Sequence, residues 1–434
     1  MTTASWGLLP IPGPARTVQG DWRFETLPAV SGDESLLAYG QGRSYGDSCI
    51  NGNASHISTQ RLNRFIRFDT DEGVLECEAG LTLDEIFQVI VPRGWFLPVV
   101  PGTRHITLGG AIANDVHGKN HHLAGSFGCH VQSLKLLRSD GDRPRCSPGE
   151  HTGLFSATIG GLGLTGLITS AEIKLTPIAS DQLHTQDLPF TSLAQFSQLS
   201  RDSVDWDYTV AWIDTFARDG NVGRGIFSRA RHADTPASLA TGSRSPLPGV
   251  PFTLPFSVVN HYTVDLFNRV YFSRKKRNKG IALSHYQPFF FPLDSIANWN
   301  RIYGRAGFYQ YQCVVPHEGG EQAVQQLLTD IHRSGQGSFL AVLKEFGKQL
   351  SPGLLSFPRP GLTLALDFPN RGEPTRTLLN KLDETVLKAG GAIYPAKDAR
   401  MSSEMFHAGF TGIEAFRGHM DPNFSSSFWR RVQP

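Results

Sequence analysis

Cysteine is scarce in this sequence, and its residues are scattered along the 434 positions. Their number is odd and none stands in a C-x-x-C pair, which argues against a disulfide framework and against a zinc site. We therefore expect a reducing compartment and no metal. The five cysteines are Cys49, Cys77, Cys129, Cys146 and Cys313.

An excess of charge of one sign is also missing, since 41 Lys and Arg face 39 Asp and Glu and the formal net charge is +2. Such a balance offers no general case for binding nucleic acid. Apolar runs are short, and none approaches the ~20 residues that span a bilayer. The N-terminal segment has neither a basic start nor a continuous apolar core. We therefore expect no signal peptide, and a protein that is cytoplasmic or peripheral at the inner membrane.

Glycine and proline are plentiful, at 45 and 27 residues, and indicate many turns and a substantial β content. The hydrophobic content of 40% is that of a globular chain. The length predicts two domains, and a shift in composition near residue 178 suggests where the first one ends.

Two glycine-rich loops stand out in the first third of the chain. The first, GQGRSYGDS at residues 40–48, follows a strand-like run and can present amides to phosphate oxygens. No helix with the dinucleotide fingerprint follows it, so we predict no Rossmann fold. Between the two loops, Thr82 and Glu85 form a capping box that predicts a helix to about Val91, ended by Pro92.

The second loop, residues 101–122, reads PGTRHITLGGAIANDVHGKNHH and has almost no long aliphatic side chains. Buried His and Lys are costly unless paired, so His117 and Lys119 predict a loop that cradles an anionic cofactor and delivers polar groups to its reactive end. The alternative is a surface turn with solvated histidines. A metal site is a further alternative, but His121 and His122 are adjacent and poorly placed to share an ion.

Apolar, basic and aromatic residues follow one another between residues 245 and 291. A proline-rich apolar stretch at 243–259 precedes the basic run SRKKRNKG and then three phenylalanines at 289–291. This combination is typical of a patch that binds a membrane surface or an anionic lipid. The alternative is an ordinary solvated face.

The last third returns to strand-like alternation, which predicts a half-buried sheet. Tyr311 and Gln312, or their neighbours, and Lys344 can then point from one face into a cavity. Further on, Lys397 stands with Asp398 and Arg400 in a polar cluster after a short strand. The alternative for this cluster is a surface loop with an exposed ion pair.

The two loops, GQGRSYGDS and LGGAIANDVHGKNHHLAGSFG, resemble the FAD-binding half of the vanillyl-alcohol-oxidase (PCMH-type) flavoproteins. Through LGLTGLIT, QYQCVVP, SFLAVLKEFG and YPAKDAR the likeness extends over nearly the whole chain, and it is closer to the decaprenylphosphoryl-ribose oxidases of cell-wall arabinose synthesis. It implies an α+β fold in two domains. The FAD-binding domain would cover residues 1–178 and a substrate domain on an antiparallel sheet residues 179–389, with residues 390–434 returning to the FAD domain.

The resemblance also implies where FAD binds. Arg43 stands where some relatives bond FAD through a histidine, so we expect a non-covalent flavin. Ala365 stands where some relatives carry a cysteine, so we expect no thiol chemistry there. The expected FAD contacts are Ala38, Tyr39, Gly40, Gln41, Gly42, Arg43, Ser44, Tyr45, Gly46, Asp47, Ser48, Gly102, Thr107, Leu108, Gly109, Gly110, Asn114, Asp115, Val116, His117, Ile168 and Tyr394.

The family reaction oxidises the ribose 2-hydroxyl of a polyprenyl-phosphoryl ribose to the 2-keto sugar. A partner keto-sugar reductase of the short-chain dehydrogenase type then completes epimerisation to the D-arabinose donor. The step needs a positive charge near the flavin, a proton acceptor, and cations for the phosphodiester. The resemblance makes Lys397 and His117 the expected catalytic residues. It makes Lys119, Tyr311 and Lys344, with Lys397, the expected substrate contacts.

Two other functions remain open from the sequence. One is an oxidase of the same fold that acts on a soluble sugar or an aldonolactone. The other is a non-catalytic polyprenyl-phosphate-binding protein with a vestigial flavin site, which would purify without colour.

Overall fold

The computed structural model describes residues 3–11, 13–30, 32, 34–217, 222–234, 248–277 and 280–434. Parts of two predicted features, residues 243–247 of the apolar stretch and Lys279 of the basic run, lie outside these ranges. The described residues form 18 strands and 12 α-helices. The strands are Arg16–Gln19 (β1), Leu36–Tyr39 (β2), Ser55–Ser58 (β3), Phe65–Asp69 (β4), Val74–Glu78 (β5), Trp95–Phe96 (β6), Val131–Leu137 (β7), Arg145–Cys146 (β8), Leu167–Lys174 (β9), Thr176–Pro177 (β10), Gln182–Phe190 (β11), Tyr208–Ile213 (β12), Gly225–His232 (β13), Ala282–His285 (β14), Phe308–Val315 (β15), Ala341–Phe346 (β16), Gly361–Pro369 (β17) and Ala392–Ile393 (β18). The helices are Leu83–Ile90 (α1), Leu108–Ala113 (α2), His121–Ala124 (α3), Thr152–Thr158 (α4), Leu193–Arg201 (α5), His261–Lys275 (α6), Tyr286–Phe290 (α7), Gly320–Ser334 (α8), Glu373–Lys388 (α9), Ser403–Gly409 (α10), Ile413–Arg417 (α11) and Ser427–Val432 (α12).

The first third of the chain builds two sheets. One is parallel, with the strand order β1-β3-β2, and the other is antiparallel, with the order β4-β5-β9-β7-β8. Helix α1 packs its apolar face into the core of this part, and the predicted capping box is present. The Thr82 N–H donates to Glu85 Oε2 at 2.8 Å, and the Glu85 N–H donates to Thr82 Oγ1 at 3.3 Å. The helix ends at Ile90, before a short 3₁₀ turn that contains Pro92.

The middle of the chain builds an eight-stranded antiparallel sheet in the order β14-β11-β13-β12-β16-β17-β15-β18. Helices α8 and α9 cover one face of β15 and β17, where alternate residues such as Cys313 and Leu364 are fully buried. The intervening residues, such as Gln312 and Thr363, face a cavity on the other side. The predicted α+β class with an antiparallel sheet is confirmed.

The last 45 residues contact both parts of the molecule. Strand β18 pairs with β15, and the Ser427 N–H donates to the Ile50 carbonyl at 2.7 Å. The Arg431 guanidinium forms ion pairs with Asp47 at 2.7 Å and with Asp398 at 2.8 Å. The boundaries at residues 178 and 389 stay a prediction. No helix in the described part of the chain is both long and apolar enough to cross a membrane.

Candidate active site

One cavity of about 970 Å³ lies between the two N-terminal sheets and the eight-stranded sheet. Its volume is near the upper end of the range for small-molecule and cofactor sites. The stretches that line it include the loop after β2, the loop before and after α2, the open face of β15 to β17, and residues 394–397. The cavity therefore joins the regions that the sequence singled out separately.

The loop after β2 forms one wall with little side-chain bulk. Gly42 has a φ of +59°, and a Cβ there would lie 2.2 Å from the Tyr39 hydroxyl oxygen, so only glycine fits. The Arg43 guanidinium stacks 4.1 Å from the Trp6 ring centroid. Eight of the predicted residues of this loop line the cavity, namely Ala38, Gly40, Gln41, Gly42, Arg43, Ser44, Tyr45 and Ser48.

Three predicted residues of the same loop do not reach the cavity. The Tyr39 hydroxyl turns away and donates to the Ala4 carbonyl at 2.8 Å. Gly46 packs against the backbone of Asp398, and a Cβ would lie 1.6 Å from its carbonyl oxygen. Asp47 is buried in the ion pair with Arg431. These residues hold the loop in place and do not line its open side.

The loop around α2 supplies the adjoining wall. Its two glycines do not leave free amides, because the Gly109 N–H donates to the Ala79 carbonyl at 2.7 Å and the Gly110 N–H donates to Thr107 Oγ1 at 3.1 Å. Their contribution is a wall without side chains. Gly102, Thr107, Gly109, Gly110, Asn114, Val116 and His117 all line the cavity, as do Ile168 and Tyr394.

Leu108 and Asp115, both predicted FAD contacts, point into the protein instead. Leu108 is fully buried in the core under α1. Asp115 has a φ of +40° and accepts hydrogen bonds from the Gly128 N–H at 2.7 Å and from the Ser356 hydroxyl at 2.6 Å. This buried carboxylate fixes the turn that sends Val116 and His117 toward the cavity.

His117 is held on both ring nitrogens at the centre of the cavity. Its Nε2 lies 2.8 Å from Gln312 Nε2, and its Nδ1 lies 2.9 Å from Lys344 Nζ. The ring also packs against Phe346, with centroids 4.8 Å apart. Burial, followed by the nearby charge of Lys344, holds the pKa of His117 well below its usual value, so the ring is neutral.

Three lysines face the cavity but are surrounded by protein. Burial is the main cause that lowers their pKa values, to about 7 for Lys119, about 7 for Lys344 and about 8 for Lys397. Like charges add to the effect, since Lys119 and Lys397 both lower the pKa of Lys344. Groups tuned toward neutral pH in one cleft are typical of a catalytic site.

Lys397 is placed over an aromatic ring and near a buried carboxyl group. Its Nζ lies 3.9 Å from the Tyr45 ring centroid. Asp367, fully buried on β17, accepts a hydrogen bond from Gln310 Nε2 at 2.6 Å and opposes the loss of the Lys397 proton. Burial raises the pKa of Asp367 to about 7. Asp367 could not be predicted as a site residue from the sequence, because an Asp in an apolar strand gives no signal of its partner.

Tyr311 does not line the cavity, which corrects the prediction that it contacts the substrate. It is 3% exposed and packs in the core on the side of α8 and α9. Its neighbours Gln310 and Gln312 face the cavity instead. Successive side chains of a strand point to opposite faces, so an error of one residue moves the assignment to the wrong side of the sheet.

The far end of the cavity carries a second charged group of residues. Lys275, at the end of α6, forms an ion pair with Asp187 on β11 at 2.7 Å, and both line the cavity. Lys119 donates to the Phe289 carbonyl and lies 4.3 Å from the ring of that residue. The sequence showed Lys275 only as part of a basic run.

Helix α6 leaves apolar side chains exposed beside this end of the cavity. Tyr262, Leu266 and Val270, spaced four residues apart, are 83%, 64% and 48% exposed. Arg269 and Arg274 stand next to them on the helix. An exposed apolar face of a helix flanked by basic residues is a feature of surfaces that bind membranes or other proteins.

The neighbouring histidines contact protein groups: the Gly347 N–H donates to His121 Nδ1 at 3.2 Å. His121 lies 4.3 Å from the Phe346 ring centroid, and His122 Nε2 lies 3.1 Å from the Trp206 carbonyl. Among the residues that the structure describes, no three His, Cys, Asp or Glu side chains converge on a point that could hold a metal ion.

Comparison with known proteins adds an independent view of this site. Residues 29–147 match the family model described as an FAD binding domain, which includes both glycine-rich loops. The chain is 37% identical over 426 residues to the decaprenylphosphoryl-beta-D-ribose oxidase of Mycolicibacterium smegmatis, covering 95% of this chain and 92% of the relative. It is 34% identical to an uncharacterised protein of Streptomyces coelicolor, covering 81% of this chain and all of the relative. A putative D-arabinono-1,4-lactone oxidase of Neurospora crassa is 29% identical, over 29% of this chain and 22% of the relative.

Proposed function

The chain belongs to the family of the decaprenylphosphoryl-beta-D-ribose oxidases, and from that premise we propose the reaction that its cavity performs. It is an FAD-dependent oxidoreductase. It oxidises the ribose 2-hydroxyl of a polyprenyl-phosphoryl ribose to the 2-keto sugar. The observation that carries the proposal is the convergence of His117, Lys344 and Lys397 in this cavity, in a chain related to this oxidase over nearly its full length.

The residues present fit FAD. The wall built from Gly40, Gly42, Gly109 and Gly110 has no bulk that would exclude a dinucleotide, and Gly102 has open space where a Cβ would stand. We propose that the predicted contacts that line the cavity hold the cofactor, which supplies the acceptor for a hydride when bound. Arg43 offers no nucleophile and stacks on Trp6, which supports a non-covalent flavin.

The chain's own groups supply position and charge. The ammonium group of Lys397 offsets negative charge that develops near Tyr45 and Tyr394. His117 presents Nε2 to the sugar hydroxyl. Lys119 and Lys275, at the far end, are the cations that we assign to the phosphodiester of the substrate.

We assign the polyprenyl chain to the apolar face of α6. A lipid-linked substrate stays in the bilayer, so the enzyme must approach the membrane surface to reach the sugar. The exposed Tyr262, Leu266 and Val270 with the flanking Arg269 and Arg274 support a peripheral contact with anionic headgroups. We further propose that a keto-sugar reductase of the short-chain dehydrogenase type consumes the product.

The test is anaerobic mixing of the yellow protein with polyprenyl-phosphoryl ribose, followed in the visible spectrum. We expect the flavin band to bleach with this substrate and not with free ribose or an aldonolactone. Lys397→Ala should stay yellow and fail to bleach, while the control Lys388→Ala, at an exposed lysine, should behave as the wild type.

Bleaching by soluble sugars alone would move the assignment to the soluble sugar or aldonolactone oxidase. A colourless protein that does not take up FAD would contradict both oxidase functions.

A further inference from the structure

The two hydrogen bonds of His117 cannot both be accepted by its ring. Both partners of the ring are nitrogen atoms that ordinarily donate: the amide of Gln312 at 2.8 Å from Nε2 and the amine of Lys344 at 2.9 Å from Nδ1. A neutral imidazole has one N–H and one lone pair. It can accept from only one of the two partners, so the other must act as an acceptor.

The surroundings of Gln312 decide which partner that is. Its Nε2 also lies 3.2 Å from Thr363 Oγ1, and the Thr363 hydroxyl donates to the Cys313 carbonyl at 2.8 Å. Because that hydroxyl proton is used, Thr363 Oγ1 is an acceptor and requires the NH₂ group of Gln312. If the amide were turned, its oxygen would face the lone pairs of Oγ1. The amide of Gln312 therefore donates to Nε2.

The Lys344 amine must then accept the proton of Nδ1. Its other contact is with the Gly118 carbonyl at 3.3 Å, which one amine hydrogen satisfies. The charged groups around it favour the neutral amine. The protonated forms of Lys119 and Lys397 disfavour a charge on Lys344, and burial keeps the rings of His117 and His121 neutral. Burial is the main cause that lowers the pKa of Lys344 to about 7, and the charges of Lys119 and Lys397 add to it.

We propose that Lys344 is the final proton acceptor of the reaction and receives the proton through the ring of His117. The substrate hydroxyl displaces the Gln312 amide from Nε2, its O–H bond breaks and its proton binds Nε2. The Nδ1–H bond breaks at the same time, and that proton binds Lys344 Nζ. The ring stays neutral and the amine becomes ammonium. The electron pair of the O–H bond forms the carbonyl, and bound FAD would take up the hydride that leaves the carbon, so this proposal rests on the proposed function.

The first test measures the rate constant of flavin bleaching in single turnovers. Arginine is always protonated and cannot accept a proton, so Lys344→Arg should lose about 100-fold or more while keeping a positive charge. Lys344→Met should lose as much, and Lys348→Arg, at an exposed lysine, should match the wild type. If Lys344 only supplies charge, Lys344→Arg keeps its activity, and that result would overturn the proposal.

The pH dependence adds a measurement that a structural role would not change. The relay needs the neutral amine, so the wild-type rate should fall as the pH drops below about 7, the pKa of Lys344. The residual rate of Lys344→Arg should not follow this titration. A wild-type rate that rises as the amine becomes protonated would overturn the relay.

The second test needs no sugar lipid and so separates a failure of the relay from a failure of the proposed function. The ring nitrogens of the histidines are observed by ¹⁵N NMR in the FAD-loaded protein at pH 8, and His117→Asn assigns the signals. We expect His117 to carry its proton on Nδ1. A proton on Nε2 would overturn the proposal, whatever substrate the enzyme takes.

Discussion

Arg431 should be among the most important residues for stability outside the cores, because it holds the C-terminal segment against the first glycine-rich loop. It donates to both carboxylate oxygens of Asp47, at 2.8 and 2.7 Å, and to Asp398 at 2.8 Å. These carboxylates are only 3% and 4% exposed. Removing one partner from a buried ion pair leaves an uncompensated charge and costs about 3–5 kcal/mol. We therefore expect Arg431→Met to lower the free energy of unfolding by about that amount.

Urea unfolding followed by tryptophan fluorescence measures the change, and the adjacent Arg430→Met provides the control. Arg430 is exposed, and it donates to the Gly52 carbonyl and to Asn51 Oδ1, which also accepts from the Ser35 hydroxyl. Its loss should therefore cost under about 1 kcal/mol. Burial already raises the pKa of Asp47, and losing Arg431 raises it further. A folded-state pKa above the unfolded value means that stability is lost as the pH rises through it. Arg431→Met should therefore regain stability as the pH is lowered, and a loss within 1 kcal/mol of that of Arg430→Met would contradict this role of Arg431.

Three further outcomes are expected. Gly42→Ala should weaken FAD binding, measured by flavin fluorescence titration, because the new Cβ would clash with the Tyr39 hydroxyl. The control Gly372→Ala also has a positive φ, of +72°, but open space around the Cβ, so it should leave the FAD affinity unchanged. Equal FAD affinities for both variants would contradict the assignment of this loop to the cofactor. Lys119 loses its positive charge as the pH rises through its pKa of about 7. The KM for the phosphorylated lipid should therefore increase at pH values above about 7. A KM that decreases there would exclude Lys119 from the phosphate site. Tyr311→Phe should leave the KM within about twofold because the ring packs away from the cavity. Gln312→Leu should slow flavin bleaching because its amide contacts His117. A raised KM for Tyr311→Phe with normal bleaching in Gln312→Leu would restore Tyr311 to the site.

Local patterns predicted the local features well. The capping box of Thr82 and Glu85 is where α1 begins, because its hydrogen bonds span only three residues. Similarly, the second loop could be predicted to bind a ligand, because His117 and Lys119 stand in a polar segment that does not read as part of an apolar core. Such features depend on neighbours along the chain.

Features that depend on distant pairing could not be predicted in the same way. Which face of β15 meets the cavity depends on its register with β17 and on the helices packed behind, so Tyr311 was placed on the wrong side. Asp367 becomes a site residue only because Gln310 and Lys397 lie beside it in the folded sheet. Lys275 reaches the cavity because α6 packs near β11, which its basic run does not reveal.

We propose that the enzyme oxidises the C2–H bond of a lipid-linked ribose, with Lys397 and His117 at the reacting carbon. The measurement that tests this uses polyprenyl-phosphoryl ribose carrying deuterium at C2, mixed anaerobically with the yellow enzyme. We predict slower bleaching than with the unlabelled substrate, and a keto product that has lost the deuterium. A product that retains the deuterium, formed at the unlabelled rate, would contradict the account.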